Sequence, residues 1–216
     1  MGRLDMNGKL LAMLFSVAMT GTAAAAQDNG DNNFKASGER VFAAEYGATL
    51  PPIGFVQFCA RNAAECRNLN GDKKTVELTP ERFSLLHQVN TYVNAKIKPV
   101  SDQDLYNQPE LWTYPVDAGD CEDYVLLKKR YLEGFGFAAE TLLITVVLDE
   151  AGEGHAVLMA RTSAGDYILD NRRDEILRWN ETGYKYLKRQ SQSDPRRWMA
   201  LTDKSIRGQG AIAGGN

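Results

Sequence analysis

Two stretches of the chain carry the pattern of a helix. In the first, apolar residues follow Thr79 and Pro80 at helical spacing until Pro99, namely Phe83, Leu86, Val89, Val93 and Ile97. Threonine suits a helix N-cap, and proline suits the first helical position. The second predicted helix covers residues 120–133. Its acidic residues come first, its basic residues come late and Gly134 follows it, as the helix dipole and C-cap preferences favour.

From residue 141 onward, the spacing of apolar residues changes to that of strands. The segment 141–148 is apolar and β-branched, and short turns separate it from two further strands. The predicted strands cover residues 141–148, 155–162 and 166–170, with weaker candidates at 184–189 and 196–201. Helices followed by an antiparallel meander predict an α+β fold.

The first thirty residues predict a secretory signal peptide. Arg3 and Lys9 precede an apolar stretch, residues 10–19, and a run of alanines ends at Ala26, where cleavage is expected. The apolar stretch is shorter than the roughly 20 residues that a bilayer span needs. A retained membrane anchor is the alternative. Since no later segment predicts a membrane span, we expect the mature chain to work outside the cytoplasm, where thiols can oxidise.

The mature chain is predicted to form one domain between two loose ends. The leader covers residues 27–50, the domain residues 51–205 and a flexible Gly/Ala-rich tail residues 206–216. No repeat of solenoid period is present in the sequence. The large aromatic residues of the C-terminal half are predicted to be core or sheet residues: Tyr167, Trp179, Tyr184, Tyr186 and Trp198.

Composition excludes several classes of function. The 216 residues are 44% hydrophobic, which is enough for one sizeable core. With 25 Lys+Arg against 28 Asp+Glu and no basic stretch, nucleic-acid binding is not expected. Three cysteines and two histidines are too few for a zinc finger or a poly-histidine metal site. No organic cofactor is predicted.

The three cysteines divide into a pair and a single residue. Cys59 and Cys66 would lie about 10 Å apart in a continuous helix, too far for a disulfide. A broken helix would bring them together, and oxidising surroundings favour the bond; two buried thiols are the alternative. Cys121 is then the odd thiol. It begins a predicted helix in AGDCEDY, where unsatisfied N–H groups and the helix dipole favour the thiolate.

A nucleophilic cysteine needs a base, and the chain offers two histidines. His87 lies off the apolar stripe of its predicted helix, so we expect it to be solvated. His155 begins a strand after a glycine-rich turn, a position suited to meeting the end of a helix.

An aspartate can join this histidine if the strands pair in one register. With Arg161 opposite Asp166 in the second and third predicted strands, Asp170 falls on the same face as His155. A slip of one residue would separate them. The predicted constellation is Cys121 as nucleophile, His155 as base and Asp170 as the group that orients the imidazole. Three residues unrelated in space are the alternative.

Three motifs in this order resemble a known family. GDCEDY, GHAVL and GDYILDN, with the flanking PIGFVQFC and YKYLKRQSQSDPRRW, resemble the bacterial transglutaminase-like cysteine peptidases over residues 52–201. These are periplasmic, papain-like proteins that include proteases releasing surface adhesins in biofilm control. The resemblance implies a papain/transglutaminase-like core, with the cysteine at a helix N-terminus packed on an antiparallel sheet. It also implies the roles already given to Cys121, His155 and Asp170.

The resemblance further implies calcium. The adhesin-releasing members depend on this ion, and Asp120, Glu122 and Asp123 match the acidic site beside their cysteine. Three carboxylates around a thiol should raise its pKa, and a bound Ca²⁺ would cancel their charge. The alternative is that these acids only cap the helix and complement its dipole.

The implied function is that of a periplasmic cysteine endopeptidase acting through an acyl-enzyme on an exported protein such as an adhesin. A transglutaminase or amidase acting on side-chain or cell-wall amides, and a non-catalytic binding module, are the alternatives. The TYPVDA segment after Trp112 is shorter than in the adhesin proteases, which leaves the adhesin substrate open. An adhesin-linked member also implies an inner-membrane receptor that senses cyclic di-GMP, although no sequence feature marks a site for it. Trp112 is either an oxyanion donor or a packing aromatic.

Overall fold

A computed structural model describes residues 41–68 and 74–202. The predicted signal peptide, the leader up to residue 40 and the predicted tail lie outside the described residues. The helices are α1 (Ile53–Arg61), α2 (Pro80–Lys96), α3 (Asp102–Tyr106) and α4 (Cys121–Gly134), with 3₁₀ turns at Ala63–Cys66, Ala139–Thr141 and Trp179–Glu181. The strands are β1 (Ala48–Thr49), β2 (Lys98–Pro99), β3 (Ala118–Gly119), β4 (Leu142–Leu148), β5 (Gly154–Thr162), β6 (Gly165–Asp170), β7 (Arg173–Arg178), β8 (Lys185–Gln190) and β9 (Trp198–Ala200).

Seven of these strands form one antiparallel sheet in the order β1-β9-β8-β4-β5-β6-β7. The two remaining strands, β2 and β3, form a short parallel pair. Helices α2 and α4 pack on each other, α2 also packs on β7, and α4 packs on β5. The predicted α+β class is confirmed. None of the helices within 41–68 and 74–202 has the length and apolar character needed to span a membrane.

The two predicted helices form where the sequence places them. Thr79 caps α2, because its hydroxyl oxygen accepts the N–H of Arg82 at 3.3 Å and Pro80 occupies the first helical position. Helix α4 begins at Cys121, directly after Asp120 in an extended conformation. The nucleophile candidate therefore lies at a helix N-terminus, as predicted.

The end of the predicted leader belongs to the domain. Ala43 is buried, its N–H donates to the Asp166 carboxylate at 2.9 Å, and β1 pairs with β9. A loose leader up to residue 50 is therefore wrong for its last ten residues. The backbone of residues 41–50 finds its partners across the sheet, and the largely apolar composition of this segment suits its place in the domain.

The central strands are buried on both faces. Along β4, Leu142, Ile144 and Val146 belong to the core beneath the helices, whereas Leu143 and Val147 belong to a second core on the opposite face. Alternate side chains of a strand point to opposite faces, so a continuous apolar run is what a doubly covered strand needs. The ends of β5 and β6 are thereby held rigidly beside the N-terminus of α4.

Candidate active site

The thiol of Cys121 lies between the start of α4 and the start of β5. The side chain is buried, and the N–H of Ala156 donates to its sulfur at 3.4 Å. The thiol itself donates to the Glu122 carboxyl oxygen Oε2 at 3.2 Å. Ala156 directly follows His155, so the backbone of β5 brings the sulfur next to the predicted base.

The surroundings of this thiol oppose its ionisation. Burial raises the pKa of Cys121 well above its usual value, and the Glu122 and Asp120 carboxyl groups raise it further. The Ala156 N–H lowers the pKa by a smaller amount. The helix N-terminus predicted a lowered pKa and the flanking acids a raised one. In this structure the acids prevail together with burial, which is the larger cause.

His155 and Asp170 meet in the register that the sequence required. Arg161 pairs with Asp166 and Leu158 with Leu169, which carries Asp170 beside the first residues of β5. The imidazole Nε2 lies 2.9 Å from the carboxylate oxygen Oδ1, and both side chains are buried. A carboxylate accepts, so Nε2 is assigned the proton and Nδ1 is left as the basic nitrogen.

The free nitrogen of this histidine is itself buried. Among the described residues, His155 Nδ1 has no hydrogen-bond partner. Burial raises the pKa of Asp170, but the hydrogen bond and charge of His155 and the hydroxyl of Tyr184 outweigh it and hold that pKa well below its usual range. The aspartate is therefore an anion held against Nε2 of the imidazole, whose other nitrogen has no partner among the described residues.

Tyr184 is a member of this site that the sequence placed only in the core. Its hydroxyl donates to Asp170 Oδ2 at 2.6 Å, and its ring stands edge-on to the His155 imidazole with centroids 5.8 Å apart. Tyr184 precedes β8, which is separated from β6 by two strands of the sheet. No spacing in the sequence connects the two residues.

An acidic cluster lies on the other side of the cysteine. One carboxylate oxygen from each of Asp102, Asp120 and Asp123 lies within 4.8 Å of the other two. The predicted ligands Asp120 and Asp123 therefore lie close together, and the third carboxylate of the cluster is that of Asp102. The third predicted ligand, Glu122, turns its carboxyl group to the thiol instead.

Asp102 was missed because pairing between distant strands brings it to the cluster. Its N–H donates to Asp120 Oδ2 at 3.3 Å across a separation of 18 residues. The parallel pair β2–β3 and the bond from the Val100 N–H to the Gly119 carbonyl close this loop. A two-residue parallel ladder has no pattern that a sequence reveals.

The cluster fits a hard cation. Asp102 Oδ1 and Asp123 Oδ2 are buried and have no hydrogen-bond partner in the described part of the chain. Burial raises the pKa of Asp102 to about 6 and that of Asp123 to about 8, and the charge of Asp120 adds to both shifts. A Cβ on Gly119 would lie 2.5 Å from Asp123 Oδ2, so this glycine keeps the oxygen's place open. Oxygen ligands of this kind suit Ca²⁺.

Trp112 behaves as a packing residue. It is fully buried, and its indole N–H donates to Glu110 Oε1 at 2.6 Å, so this donor is occupied. Its ring meets that of Phe55 edge-on at 5.6 Å, and Arg61 donates to its carbonyl at 2.9 Å. Of the two interpretations of Trp112, this geometry supports packing.

The predicted disulfide is present. Helix α1 ends at Arg61 and a 3₁₀ turn follows, so the Cα atoms of Cys59 and Cys66 lie 5.6 Å apart and their sulfurs are bonded. Cys121 is the free cysteine of the described residues. His87 is exposed on α2, as expected.

The sequence profile of the family described as "Bacterial transglutaminase-like cysteine proteinase BTLCP" matches residues 45–206. The chain belongs to this family. The match begins within the segment that packs against the sheet and includes every residue of the site described above. The description of the family as cysteine proteinases agrees with a free cysteine beside a histidine–aspartate pair.

Solved structures of one protein resemble the fold of this family member. They are of Legionella pneumophila LapG, at 24% identity and TM-score 0.44 over 52% of this chain and 65% of that one. The calcium-bound LapG structure is 23% identical with a TM-score of 0.48, and the EGTA-treated structure 23% with 0.49; each covers 63% of this chain and 78% of LapG. The alignment thus spans slightly less than two thirds of the first LapG chain. Curated proteins give no match.

Proposed function

We propose that the chain is a periplasmic cysteine endopeptidase in which Cys121 is the nucleophile, His155 the base and Asp170 the orienting group. The observation that carries this proposal is the buried His155–Asp170 pair, with Nδ1 left without a partner, at the strand end that contacts the Cys121 sulfur. Hydrolysis of a peptide bond is favoured over transfer to an amine because the family consists of proteinases. Transglutaminase or amidase chemistry with the same three residues remains the second candidate.

The reaction would proceed in two steps, acylation of Cys121 and hydrolysis of the acyl-enzyme, and the same three residues would serve in both. The Cys121 thiol gives its proton to His155 Nδ1 and the sulfur attacks the scissile carbonyl carbon. Asp170 stabilises the imidazolium through Nε2, and the imidazolium then protonates the leaving amine. Departure of the amine breaks the C–N bond and leaves a thioester on Cys121. Water, deprotonated by Nδ1, attacks this thioester, the C–S bond breaks to release the acid product, and the imidazolium returns the proton to the sulfur. The Cys121 backbone N–H, at the first turn of α4, is a candidate donor to the oxyanion.

The thiol must turn before it can react. In this structure it donates to Glu122, and the pKa of Glu122 is itself raised by burial and by Asp120. The proton of the thiol therefore points away from the base. Release of this S–H from Glu122, by rotation about the Cβ–Sγ bond, is the step that lets the proton pass to His155 Nδ1.

We propose Asp102, Asp120 and Asp123 as the protein ligands of a calcium ion. Their unpaired buried oxygens and raised pKa values support a bound cation. When bound, Ca²⁺ would offset the negative charge that raises the pKa of the neighbouring thiol. Glu122, which the sequence added to this set, would act beside the sulfur instead.

The substrate and location follow from the same proposal. Cleavage after Ala26 would release the domain into the periplasm, where the Cys59–Cys66 disulfide is stable. The substrate is proposed to be an exported protein, with a surface adhesin as the leading candidate and an inner-membrane receptor as a possible regulator. We also keep as proposals that residues 1–26 are a cleaved signal peptide and that residues 206–216 form a loose tail.

Alkylation of Cys121 by iodoacetamide tests the proposal. The rate is measured against pH in calcium and in EGTA, for the wild type and for His155→Ala. Because the other two cysteines are bonded, mass spectrometry reads a single reactive site. We expect labelling near pH 6 that falls in EGTA and in the variant. Labelling that follows an ordinary thiol titration near pH 8.5 and ignores both changes would overturn the catalytic role.

A further inference from the structure

We propose that Tyr184 is a positioning residue that fixes the rotation of the Asp170 carboxylate and thereby the orientation of the His155 imidazole. This inference rests on the proposed function, since it assigns the support of the same triad. Tyr184 would act through a hydrogen bond that it donates and through a contact of its ring, and it lies outside the three motifs that contain the triad.

The two oxygens of Asp170 have different partners. Oδ1 lies 2.9 Å from His155 Nε2 and accepts the N–H of Arg172 at 3.0 Å. Oδ2 accepts the hydroxyl of Tyr184 at 2.6 Å, and Arg173 Nε lies 3.5 Å from it. Without the Tyr184 bond, Oδ2 would keep only this longer contact, and the carboxylate would be freer to rotate about its Cβ–Cγ bond. Apart from the imidazole itself, Oδ1 would then be held in place by the Arg172 N–H alone among the contacts described here.

Arg173 determines the direction of the tyrosine's hydrogen bond. Its Nη2 donates to the Tyr184 hydroxyl oxygen at 3.1 Å. A guanidinium has no acceptor, so the hydroxyl must accept from Arg173, and its single proton is directed to Asp170. The guanidinium also lies over the ring, 5.0 Å from its centroid. Arg173 thereby fixes both the position of the tyrosine ring and the direction of its hydroxyl hydrogen bond.

The ring of Tyr184 completes the support. It stands at 81° to the His155 imidazole, in an edge-on contact that limits rotation of the imidazole. One side chain thus holds both partners of the pair, the aspartate by its hydroxyl and the histidine by its ring. Substitution by phenylalanine separates the two effects, because it keeps the ring and removes only the hydroxyl.

Tyr186 offers a matched control. It is also a buried tyrosine and lies two residues further along, in β8, but its hydroxyl bonds to Thr182, and its ring meets that of Trp179. Tyr186→Phe therefore removes a buried hydroxyl of the same kind without touching the Asp170 carboxylate. Any general cost of losing such a group appears in both variants.

The experiment is proton NMR of protein labelled with ¹⁵N-histidine, followed by alkylation with iodoacetamide. With two histidines in the chain and His87 exposed, the His155 Nε2–H signal is readily assigned. We expect this signal in the wild type and in Tyr186→Phe, and its broadening or loss in Tyr184→Phe. The alkylation rate of Cys121 should fall roughly tenfold in Tyr184→Phe alone. In an Asp170→Asn background, Tyr184→Phe should have no further effect on that rate.

The outcomes separate this inference from the function it rests on. If Tyr184→Phe keeps both the Nε2–H signal and an alkylation rate within twofold of Tyr186→Phe, the positioning role is wrong. A loss of the same size in the Asp170→Asn background would also overturn it, since the effect would then not pass through the carboxylate. If instead His155→Ala leaves alkylation unchanged, the proposed function fails, whatever the NMR signal of Tyr184→Phe shows.

Discussion

Gly119 has no side chain, and Asp123 uses the space that this leaves. The Asp123 carboxylate accepts the Thr113 N–H at 2.8 Å through Oδ1, while Oδ2 faces Gly119 and the acidic cluster. A methyl group at residue 119 would lie 2.5 Å from Oδ2 and 2.9 Å from Asp123 Cβ. Because the closest atoms include Cβ, which a rotamer change cannot move, the backbone must shift as well as the carboxylate.

We therefore expect Gly119→Ala to weaken calcium binding by about tenfold or more, as changes to residues that support a metal ligand commonly do. Isothermal titration with Ca²⁺ measures the change. Gly134→Ala is the control, since a Cβ there meets nothing within 4 Å. Equal affinities in the two variants would show that Asp123 is not a ligand.

Residue identity allowed the sequence to predict part of the site but not all of it. Cys121, His155 and Asp170 are adjacent to recognisable helix and strand ends, so their meeting depended on one register that the turn before Asp166 determines. Asp102 and Tyr184 reach the site through distant pairings. An aspartate in a short polar helix and a tyrosine before a strand look like many others in the chain.

At the scale of elements, one buried lysine connects the two main helices to the start of β7, which follows Asp170 along the chain. Lys128 on α4 is fully buried, and its ammonium donates to Asn90 Oδ1 on α2 at 2.7 Å. Asn90 in turn donates to the carbonyls of Arg173 and Asp174 at 2.9 and 3.1 Å. Lysines late in a helix usually face water, so the late basic residues of this helix gave no sign that one of them is buried.

This lysine should make stability depend on pH. Burial lowers the pKa of Lys128 to about 7, with Asp170 and Asp174 opposing the shift. Between pH 7 and 10.5 the unfolded chain binds the proton more readily than the folded one, so the free energy of unfolding rises with pH in that window. The contribution is at most about 1.4 kcal/mol per pH unit.

Lys128→Met should remove this contribution. Urea unfolding of both proteins at intervals from pH 6.5 to 9 gives the free energy difference between them. We expect the free energy of unfolding of the wild type to increase relative to that of the variant as pH rises. A difference that stays constant across this range would mean that Lys128 does not change its protonation on folding there.

The elements differ in how well their sequence patterns predict them. Helices α2 and α4 have N-terminal signals of their own, and β4 to β6 are apolar because both of their faces are covered. Strand β7 lies at the edge of the sheet, and its sequence RDEILR lacks a regular alternation, so it was not predicted. Charged edge strands are common because they resist pairing with other chains.

At the scale of the whole molecule, the acidic cluster should set the response of stability to pH and calcium. Folding raises the pKa of Asp102 from 3.8 to about 6 and that of Asp123 from 3.8 to about 8. A raised carboxyl pKa contributes stability below the unfolded value and loses it as pH rises through the folded value. In EGTA, the melting temperature should therefore fall between about pH 4 and pH 8 through these groups.

Calcium should reverse this loss at neutral pH. A ligand at 100 times its Kd adds about 2.7 kcal/mol, or roughly 5–10 °C in a domain of this size. Differential scanning calorimetry at pH 7.5 in Ca²⁺ and in EGTA measures the shift. Asp102→Asn should abolish it, and Asp104→Asn, an exposed neighbour on α3, should keep it. A shift of equal size in both variants would exclude the cluster as the binding site.

The loop between β2 and β3 has a consequence for hydrogen exchange. The Leu111 N–H donates to Asp102 Oδ2 and the Thr113 N–H to Asp123 Oδ1, so two amides of this loop end on the carboxylates proposed to hold the ion. An ion that fixes those carboxylates also fixes their amide donors, and deuterium uptake at these two positions should slow when Ca²⁺ is added. Amide exchange at residues 111 and 113 would then report on cation occupancy in the intact protein, without a substrate and without altering the thiol.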